Sequence, residues 1–478
     1  MRTVRTYSRR VSAAVGGLLL AASPLAPTPA GAEPPPGPPS VPGLYGADGR
    51  TPRPEPRTRQ EMAQRLGEMQ QANTYTADPD MIGADGTARV SKAGDLETDC
   101  KKEFPIPGTS DHSVQDGWVR DHYAWCTRQQ MTLKYSDKPL DIAYFTLTIL
   151  GVGSKNSRQA TFTVRLSDWV HPPGSGPEWA EVPLSVQLAC STVNTGGNCK
   201  PSGTVLRPVA QWKIQPEATF TLSSDNAGEA VEKVVLGRFT FTLSWPGAPT
   251  PHSYANYARF DSAQYMRKGS QKGAIFNAVV PSWPLDGKEP RIRESVKHIS
   301  NACKRPDTTD PKVSYPKVIA GCSRTNIIHR LKHDMTRRRA NRADAVAVCR
   351  AKDPNYPSKG LSCDEYPFSC TYEGAAQPKY DRLVKYGMFS ARAITAVDNS
   401  TSGSMLGAWY ASDRILDFRS AASWTDPTDG KTKQIQDPFY VRIENDPNTA
   451  ASLGRLIDRL HLADKAADDP DPLDCNSE

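Results

Sequence analysis

The sequence predicts a multidomain protein in which an all-β sandwich precedes an α+β domain. Apolar and polar residues alternate at period two between residues 95 and 250, whereas helical spacing of apolar residues dominates after Pro251. The length of 478 residues is enough for two or three domains of roughly 100 to 200 residues each. We therefore expect a sandwich over residues 95–250 and a second domain over residues 256–465.

The first 32 residues have the layout of a secretory signal peptide. Four arginines precede a short apolar run from Val11 to Ala22, and small residues end at Ala32. Residues 33–57 are rich in proline and glycine, which predicts an extended linker. No other segment carries about 18 uninterrupted apolar residues, so we expect no membrane contact and a secreted, extracellular protein.

Several half-buried strands are predicted within residues 95–250. The clearest alternates at Phe239, Phe241 and Leu243, and similar runs cover residues 162–166 and 182–188. Clusters of Gly, Pro, Asn and Asp separate these runs, as in a sandwich of antiparallel sheets. This region shows no catalytic constellation, and a cell-wall, glycan or protein ligand and a simple spacer role both remain open.

The second domain is predicted to mix helices and short strands. Apolar spacing predicts helices over Ile327–Cys349, Gly403–Ile415 and Leu453–Leu460. Short strands are expected at Ala391–Val397 and Phe439–Ile443.

The ten cysteines of an exported chain favour disulfides over metal or redox sites, because no CxxC pair is present. If neighbours in sequence bond, Cys100 pairs with Cys126 and Cys190 with Cys199, and both bridges would staple the sandwich.

Positive charge is concentrated in the second domain. Residues 321–440 contain 18 Lys and Arg against 13 Asp and Glu, and nine of these bases lie between Arg324 and Lys352. Such a concentration of positive charge is typical of a protein that binds a polyanion. For any single arginine, a solvated helix face is an equally good interpretation.

Two adjacent carboxylates, Asp364 and Glu365, carry the strongest chemical signal. Neighbouring residues on a strand point to opposite faces, so we expect the two to have different roles. Carboxylates can activate water and bind hard cations such as Mg²⁺, which indicates metal-assisted cleavage of a phosphodiester. Asp398 and Asn399 supply further oxygen atoms, although a turn or capping role is the favoured interpretation of Asp398.

His329 and His333 are four residues apart on a predicted helix, a spacing that can chelate zinc. Arg330 replaces the glutamate of a metalloprotease helix and would oppose a metal ion. We therefore expect a solvated or DNA-facing pair.

The run from Cys363 to Phe368, followed by Tyr372-Glu373-Gly374-Ala375, resembles the signature of the secreted bacterial deoxyribonucleases of the NucA/NucB family. The segments Asn341-Arg342-Ala343 and Val397-Asp398-Asn399 are similar as well, and the resemblance covers about Cys322 to Ile443. It implies a metal-dependent endonuclease domain of ββα-metal type, with DNA as substrate and little sequence preference.

The resemblance also implies roles for particular residues. Asp364 would be the general base, Glu365 a metal or water-orienting group, and Asn399 a ligand of Mg²⁺ or Mn²⁺. Arg392 would hold the scissile phosphate. The basic segment then supplies the candidate DNA-binding residues, which are Arg337, Arg338, Arg339 and Arg342.

The preferred disulfide of this domain joins Cys349 to Cys363 and would fasten the helix to the strand that bears Asp364. The pairs that remain are Cys303 with Cys322 and Cys370 with Cys475.

An alternative function stays open. The spacing between Gly374 and Asn399 is longer than in minimal members of the family, so an inserted loop could distort the pocket. The chain would then be a secreted binding or surface-structural protein with an inactive nuclease-like domain. A nuclease used as a toxin against competitors would share the chemistry of the first interpretation.

Overall fold

The computed structural model describes residues 56, 58–77, 93–106, 108, 110–138, 141–173, 177–194, 197–225, 233–247, 251–266, 269, 271–417, 422–425, 432–435 and 437–448. The predicted signal peptide, the linker apart from Pro56 and the predicted helix Leu453–Leu460 lie outside these residues. Within the described ranges, no helix is long and apolar enough to cross a membrane.

The N-terminal half consists mainly of two antiparallel sheets. It begins with helix α1 (Arg59–Ala72), strand β1 (Thr74–Thr76) and helix α2 (Ala93–Glu103). The sandwich strands and a short helix follow: β2 (Trp118–Asp121), β3 (Ala124–Lys134), β4 (Ile142–Val152), β5 (Gln159–Val170), β6 (Pro183–Thr192), β7 (Lys200–Pro201), β8 (Thr204–Pro208), α3 (Val209–Ile214), β9 (Glu217–Ser223), β10 (Lys233–Ser244), β11 (His252–Ser262) and β12 (Lys272–Phe276). The sheet orders are β2-β3-β4-β5-β9-β7 and β12-β11-β10-β6-β8.

The predicted alternation of these strands is confirmed. Phe162 in one sheet and Phe239 in the other are fully buried, and their ring centroids lie 4.9 Å apart. Trp125 packs edge-on against Phe239 at 5.0 Å, so aromatic side chains from both sheets fill a single core.

The five-stranded sheet continues past the predicted limit of residue 250. β11 pairs with β10 along its whole length, and β12 pairs with β11. The predicted start of the second domain at residue 256 therefore falls inside a sandwich strand. The sequence conceals this because both faces of β11 are covered, and the buried residues include the polar Asn256, Arg259 and Asp261.

The C-terminal half combines helices with a small mixed sheet. Its elements are β13 (Val280–Asp286), α4 (Arg293–Lys304), β14 (Ile328–His329), α5 (Met335–Lys352), β15 (Leu361–Tyr366), α6 (Gln377–Tyr380), β16 (Ser390–Thr395), α7 (Ala396–Ser412), β17 (Ala422–Thr425), β18 (Thr432–Ile435) and β19 (Pro438–Glu444). The sheet order is β1-β13-β19-β14, with β1, β13 and β19 parallel and β14 antiparallel. β15 and β16 form a separate antiparallel pair, as do β17 and β18.

Two predicted helix limits are wrong. α5 begins at Met335 rather than Ile327, because residues 328–329 pair with β19 and the Asp334 side chain accepts a hydrogen bond from the Arg337 amide at the new helix start. His329 and His333 consequently do not share a helix. α7 begins at Ala396 rather than Gly403, which places Asn399 inside the helix.

Helix α4 was not predicted. Its sequence signal is the helical spacing of Ile292, Val296 and Ile299, which are all buried in the core of the C-terminal half. The same core takes apolar side chains from β13, α7 and β19.

Four disulfides join described cysteines, and all four are pairs that the sequence favours. They are Cys100–Cys126, Cys190–Cys199, Cys303–Cys322 and Cys349–Cys363. Cys370 is also disulfide-bonded, but Cys475, its proposed partner, lies outside the described residues.

A buried ionic cluster joins the sandwich to the C-terminal half. Asp261 of β11 is fully buried and accepts hydrogen bonds from Arg414 at 2.5 Å and Arg259 at 3.0 Å. Arg259 also pairs with Asp437, next to β19. Gly273 leaves room for this contact, because an added Cβ atom would lie 2.1 Å from Nε of Arg414. Buried ion pairs therefore link the sandwich to the C-terminal half.

We expect Asp261→Asn to lower the free energy of unfolding by about 3–5 kcal/mol near neutral pH, because it leaves two buried arginines without their shared carboxylate. Burial opposes ionisation of Asp261, but Arg414 and Arg259 outweigh it and hold the pKa of this carboxyl below its usual value. A group with a lowered pKa stabilises the fold above its unfolded pKa of about 4, and the contribution disappears as the pH falls through the folded pKa.

Urea unfolding of the two proteins between pH 3 and pH 8 measures this effect. The difference should stay constant above about pH 5 and shrink in acid. Equal stability of the two proteins at pH 7 would contradict the assigned role of the cluster.

Candidate active site

The antiparallel pair of β15 and β16 organises the predicted site. Asp364 lies directly opposite Arg392 in the register, and Cys363 lies opposite Ala393. Side chains alternate between the two faces of such a pair, so Cys363 and Glu365 share one face while Ser362 and Asp364 share the other. The contacts of these residues follow this division: the first pair meets α5, and the second meets α4 and α7.

Asp364 is held by a histidine from α4. Its Oδ2 atom lies 2.7 Å from Nδ1 of His298, and Nε2 of the same ring lies 2.8 Å from Oγ of Ser390 on β16. Asp364 is 5% exposed and His298 1% exposed. The Oδ1 atom of Asp364 has no hydrogen-bond partner among the residues that the structure describes.

Arg392 is the exposed neighbour of Asp364. The two residues are cross-strand partners, and within the described ranges the guanidinium of Arg392 takes part in no ion pair or hydrogen bond. An exposed cation beside a fixed carboxylate suits recognition of a phosphate oxygen.

The Glu365 side chain lies on the opposite face of β15, where an arginine already binds its carboxylate. Oε2 of Glu365 accepts from Nη1 of Arg342 at 2.8 Å, and the same nitrogen donates to the carbonyl of Cys363. Burial raises the pKa of the Glu365 carboxyl, while Arg342 and a hydrogen bond from Ser369 partly oppose this effect. The structure therefore does not direct Asp364 and Glu365 to one face.

Asn399 and Asp398 are neighbours on α7. Asn399 binds this helix to β15, and Asp398 binds it to α4. The Asn399 amide nitrogen donates to Oγ of Ser362 at 2.9 Å and to the Cys363 carbonyl at 3.1 Å. Asp398 accepts from the backbone amides of Glu294 and Ser295 at 2.9 and 3.0 Å, and so caps the N-terminus of α4. The favoured interpretation of Asp398 as a capping residue agrees with this contact, although the helix it caps is not its own.

The four candidate DNA-binding arginines occupy different environments. Arg338 is fully buried and Arg342 is 9% exposed in its salt bridge with Glu365. Arg337 donates to the Tyr372 carbonyl and lies over the ring of Tyr380 at 4.5 Å. Only Arg339 of these four is exposed. Three of these four arginines are therefore at least partly buried, a result that the charge count alone did not indicate.

The remaining predicted residues serve as structural contacts. Nδ1 of His329 lies 2.7 Å from Oε1 of Glu373, and the His329 amide donates to the other carboxylate oxygen at 2.9 Å. His333 packs edge-on against Tyr265 at 5.0 Å. The bond from Cys349 of α5 to Cys363 fastens the helix to β15.

No group of three or more His, Cys, Asp or Glu side chains within the described ranges is arranged to hold a metal ion. Oxygen donors are nevertheless present near β15. Neither Oδ1 of Asp364 nor Oδ1 of Asn399 accepts a hydrogen bond from a described residue. Of these two atoms, the amide oxygen of Asn399 is of a ligand type that Mg²⁺ accepts.

Sequence reasoning missed His298 and Ser390. His298 lies on the helix that was not predicted, outside the resembling segment, and 66 residues before Asp364. The helical spacing around Val296 would have revealed the helix, but no local pattern indicates that its histidine reaches Asp364.

Comparisons with known proteins give one informative match. No curated protein matches the chain. One solved structure, the GAE domain of GGA2p from Saccharomyces cerevisiae, has 11% sequence identity and a TM-score of 0.13, with 27% of this chain and 95% of that chain covered. That TM-score is too low to support any inference.

A family model is matched by residues 320–417, and its description is Deoxyribonuclease NucA/NucB. The matched segment contains α5, β15, β16 and α7, and it includes Asp364, Glu365, Arg392 and Asn399. It agrees with the family that the residues around Cys363 resemble. The C-terminal part of this chain thus contains a nuclease domain of the deoxyribonuclease NucA/NucB family.

Proposed function

We propose that this chain is a secreted, metal-dependent endonuclease that hydrolyses DNA phosphodiester bonds with little sequence preference. The observation that carries the proposal is the position of Asp364 within the matched segment, where one carboxylate oxygen is anchored by His298 and the exposed Arg392 lies opposite. The pair β15–β16 followed directly by α7 supports assignment to the ββα-metal type.

In this proposal Asp364 is the general base. Its Oδ1 atom accepts a proton from the attacking water while Oδ2 stays bound to His298. Arg392 holds a non-bridging oxygen of the scissile phosphate. Such phosphate contacts carry no base information, which is consistent with low sequence preference.

A divalent cation, Mg²⁺ or Mn²⁺, would neutralise charge that develops on the phosphate and the leaving oxygen. Asn399 would contribute its amide oxygen, since its nitrogen is committed to Ser362 and Cys363. Glu365 remains a candidate ligand, but Arg342 already balances its charge. We therefore assign Glu365 chiefly to holding α5 against β15.

Secretion is supported by the signal-like first 32 residues and by four disulfides, a density typical of exported proteins. The contacts described for the sandwich include the ionic cluster with the C-terminal half. We assign it no cell-wall or protein ligand.

The test of metal dependence is nicking of supercoiled plasmid by the purified protein with Mg²⁺ or Mn²⁺, at roughly pH 6 to 9, where ordinary carboxylates are ionised. We expect activity that a chelator abolishes and added metal restores. Asp364→Ala protein purified in the same way controls for contaminating nuclease. Full activity in the presence of chelator would contradict the proposed metal dependence. If no cleavage occurs under any of these conditions, the alternative of a binding protein with an inactive nuclease-like domain is favoured.

We expect Asp364→Ala to reduce kcat by about 10²- to 10⁴-fold, the usual contribution of a general base. Asp353→Ala is the matched control, because Asp353 pairs with Lys359 at the surface and lies outside the β15–β16 pair. Both variants are compared by plasmid nicking and thermal unfolding. If the Asp364 variant cuts as fast as the control, Asp364 is not the base.

Arg339 and Arg342 should differ in their effects. Arg339→Ala should weaken DNA binding and reduce the slope of log K against log salt by about 1, while Arg339→Lys retains the charge and most of the affinity. Arg342→Ala should instead lower the free energy of unfolding by about 3–5 kcal/mol, because Glu365 loses its buried partner.

Fluorescence anisotropy with a labelled duplex at several salt concentrations, together with urea unfolding, separates these two effects. Loss of affinity without loss of stability in the Arg342 variant would show that this arginine reaches DNA.

A further inference from the structure

The contacts of His298 differ from those of a histidine that reacts with substrate. Both ring nitrogens of His298 lie within hydrogen-bond distance of protein groups. Nδ1 faces Oδ2 of Asp364, and Nε2 faces Oγ of Ser390. The side chain is 2% exposed, and Val296 and Ile299 of the same helix are buried in the core. The imidazole therefore has no free nitrogen with which to activate water or contact a phosphate.

The partner of Nδ1 fixes the direction of that hydrogen bond. A carboxylate can only accept, so Nδ1 carries a proton directed at Oδ2 of Asp364, while the Ser390 hydroxyl can donate to or accept from Nε2. The carboxylate then has Oδ2 fixed and Oδ1 without a described partner. The histidine thereby determines which oxygen of Asp364 can meet water.

The helix that carries His298 is itself fixed by the domain. Asp398 caps its N-terminus, and Oε2 of Glu294 accepts from the amide of Thr395 at the end of β16 at 2.8 Å. Val296 and Ile299 are fully buried in the C-terminal core. A side chain on such a support can hold a catalytic group within the narrow limits that catalysis requires.

We propose that His298 is a positioning residue for hydrolysis: through Nδ1 it holds Oδ2 of Asp364, with Ser390 fixing the ring, so that Oδ1 faces the attacking water. This inference rests on the proposed function, since it assumes that Asp364 is the base. It adds a residue outside the matched segment 320–417 to the catalytic arrangement.

The test compares four substitutions in the full chain: His298→Ala, His298→Asn, His298→Gln and Asp364→Ala. Asparagine places its amide near the position of Nδ1 and can donate to Asp364. Glutamine reaches toward Ser390 instead. The last two His298 variants are similar in polarity, so a difference between them reports the bond to Asp364 rather than loss of a buried side chain.

We expect His298→Ala to reduce kcat for plasmid nicking about 100-fold, the effect of a misplaced catalytic group, with KM changed less than about threefold. His298→Asn should recover at least about tenfold of that loss, and His298→Gln should not. In the Asp364→Ala background, His298→Ala should cause no further loss, because the two residues act as one unit. Thermal unfolding of each variant corrects the rates for the folded fraction.

Different outcomes overturn different parts of the proposal. Equal rates for the Asn and Gln variants, or full activity of His298→Ala while Asp364→Ala is inactive, would refute the positioning role alone. Should His298→Ala fail to fold, the Asn and Gln pair still decides. Full activity of Asp364→Ala would instead refute the proposed base and leave the contact of His298 purely structural.

Discussion

The alternation of side chains along β15 is the constraint on which the arrangement of the C-terminal half depends. Asp364 and Glu365 are consecutive, so a strand directs them to opposite faces, and each face is covered by different helices. Asp364 meets His298 of α4, and Glu365 meets Arg342 of α5. In the proposed arrangement, Asp364 serves the site and Glu365 supports the packing of α5 against β15.

This division gives the two residues opposite electrostatic requirements. A buried carboxylate that forms a salt bridge must keep its cation, because the loss of either partner leaves an uncompensated charge. A carboxylate that accepts a proton needs one oxygen without a protein partner. Glu365 meets the first requirement through Arg342 and Ser369. Asp364 leaves Oδ1 without a described partner, as its proposed role as base requires. The two carboxylates lie on opposite faces because they are consecutive on the strand.

Sequence reasoning worked where a local pattern has a local cause. Alternation at Phe239 and Phe241 predicted a strand because only one face of β10 enters the core, and cysteines close in sequence predicted bridges because short loops bring them together. The motif around Cys363 predicted the family because its residue types recur in order.

Prediction failed where a contact depends on distant elements. β11 hides its period because its second face carries the buried Arg259 and Asp261, which look like surface residues in sequence. The charge of α5 predicts arginines that face DNA, although Arg338 and Arg342 are buried by neighbours that no local pattern reveals. The contact between His298 and Asp364 could not be predicted, because α4 was not recognised in the sequence and Asp364 lies far along the chain.

The small sheet β1-β13-β19-β14 has a consequence for the timing of folding. β13 pairs through Ser282 with Thr76 on one side and with Tyr440 on the other, so its neighbours come from distant parts of the chain. Parallel pairings of such long separation form slowly, because a large loop must close before they contribute stability. During synthesis this sheet cannot be completed until β19 has emerged from the ribosome. The core of the C-terminal half, which includes Phe439 and Val441 of β19, is therefore completed only after most of the chain has been made.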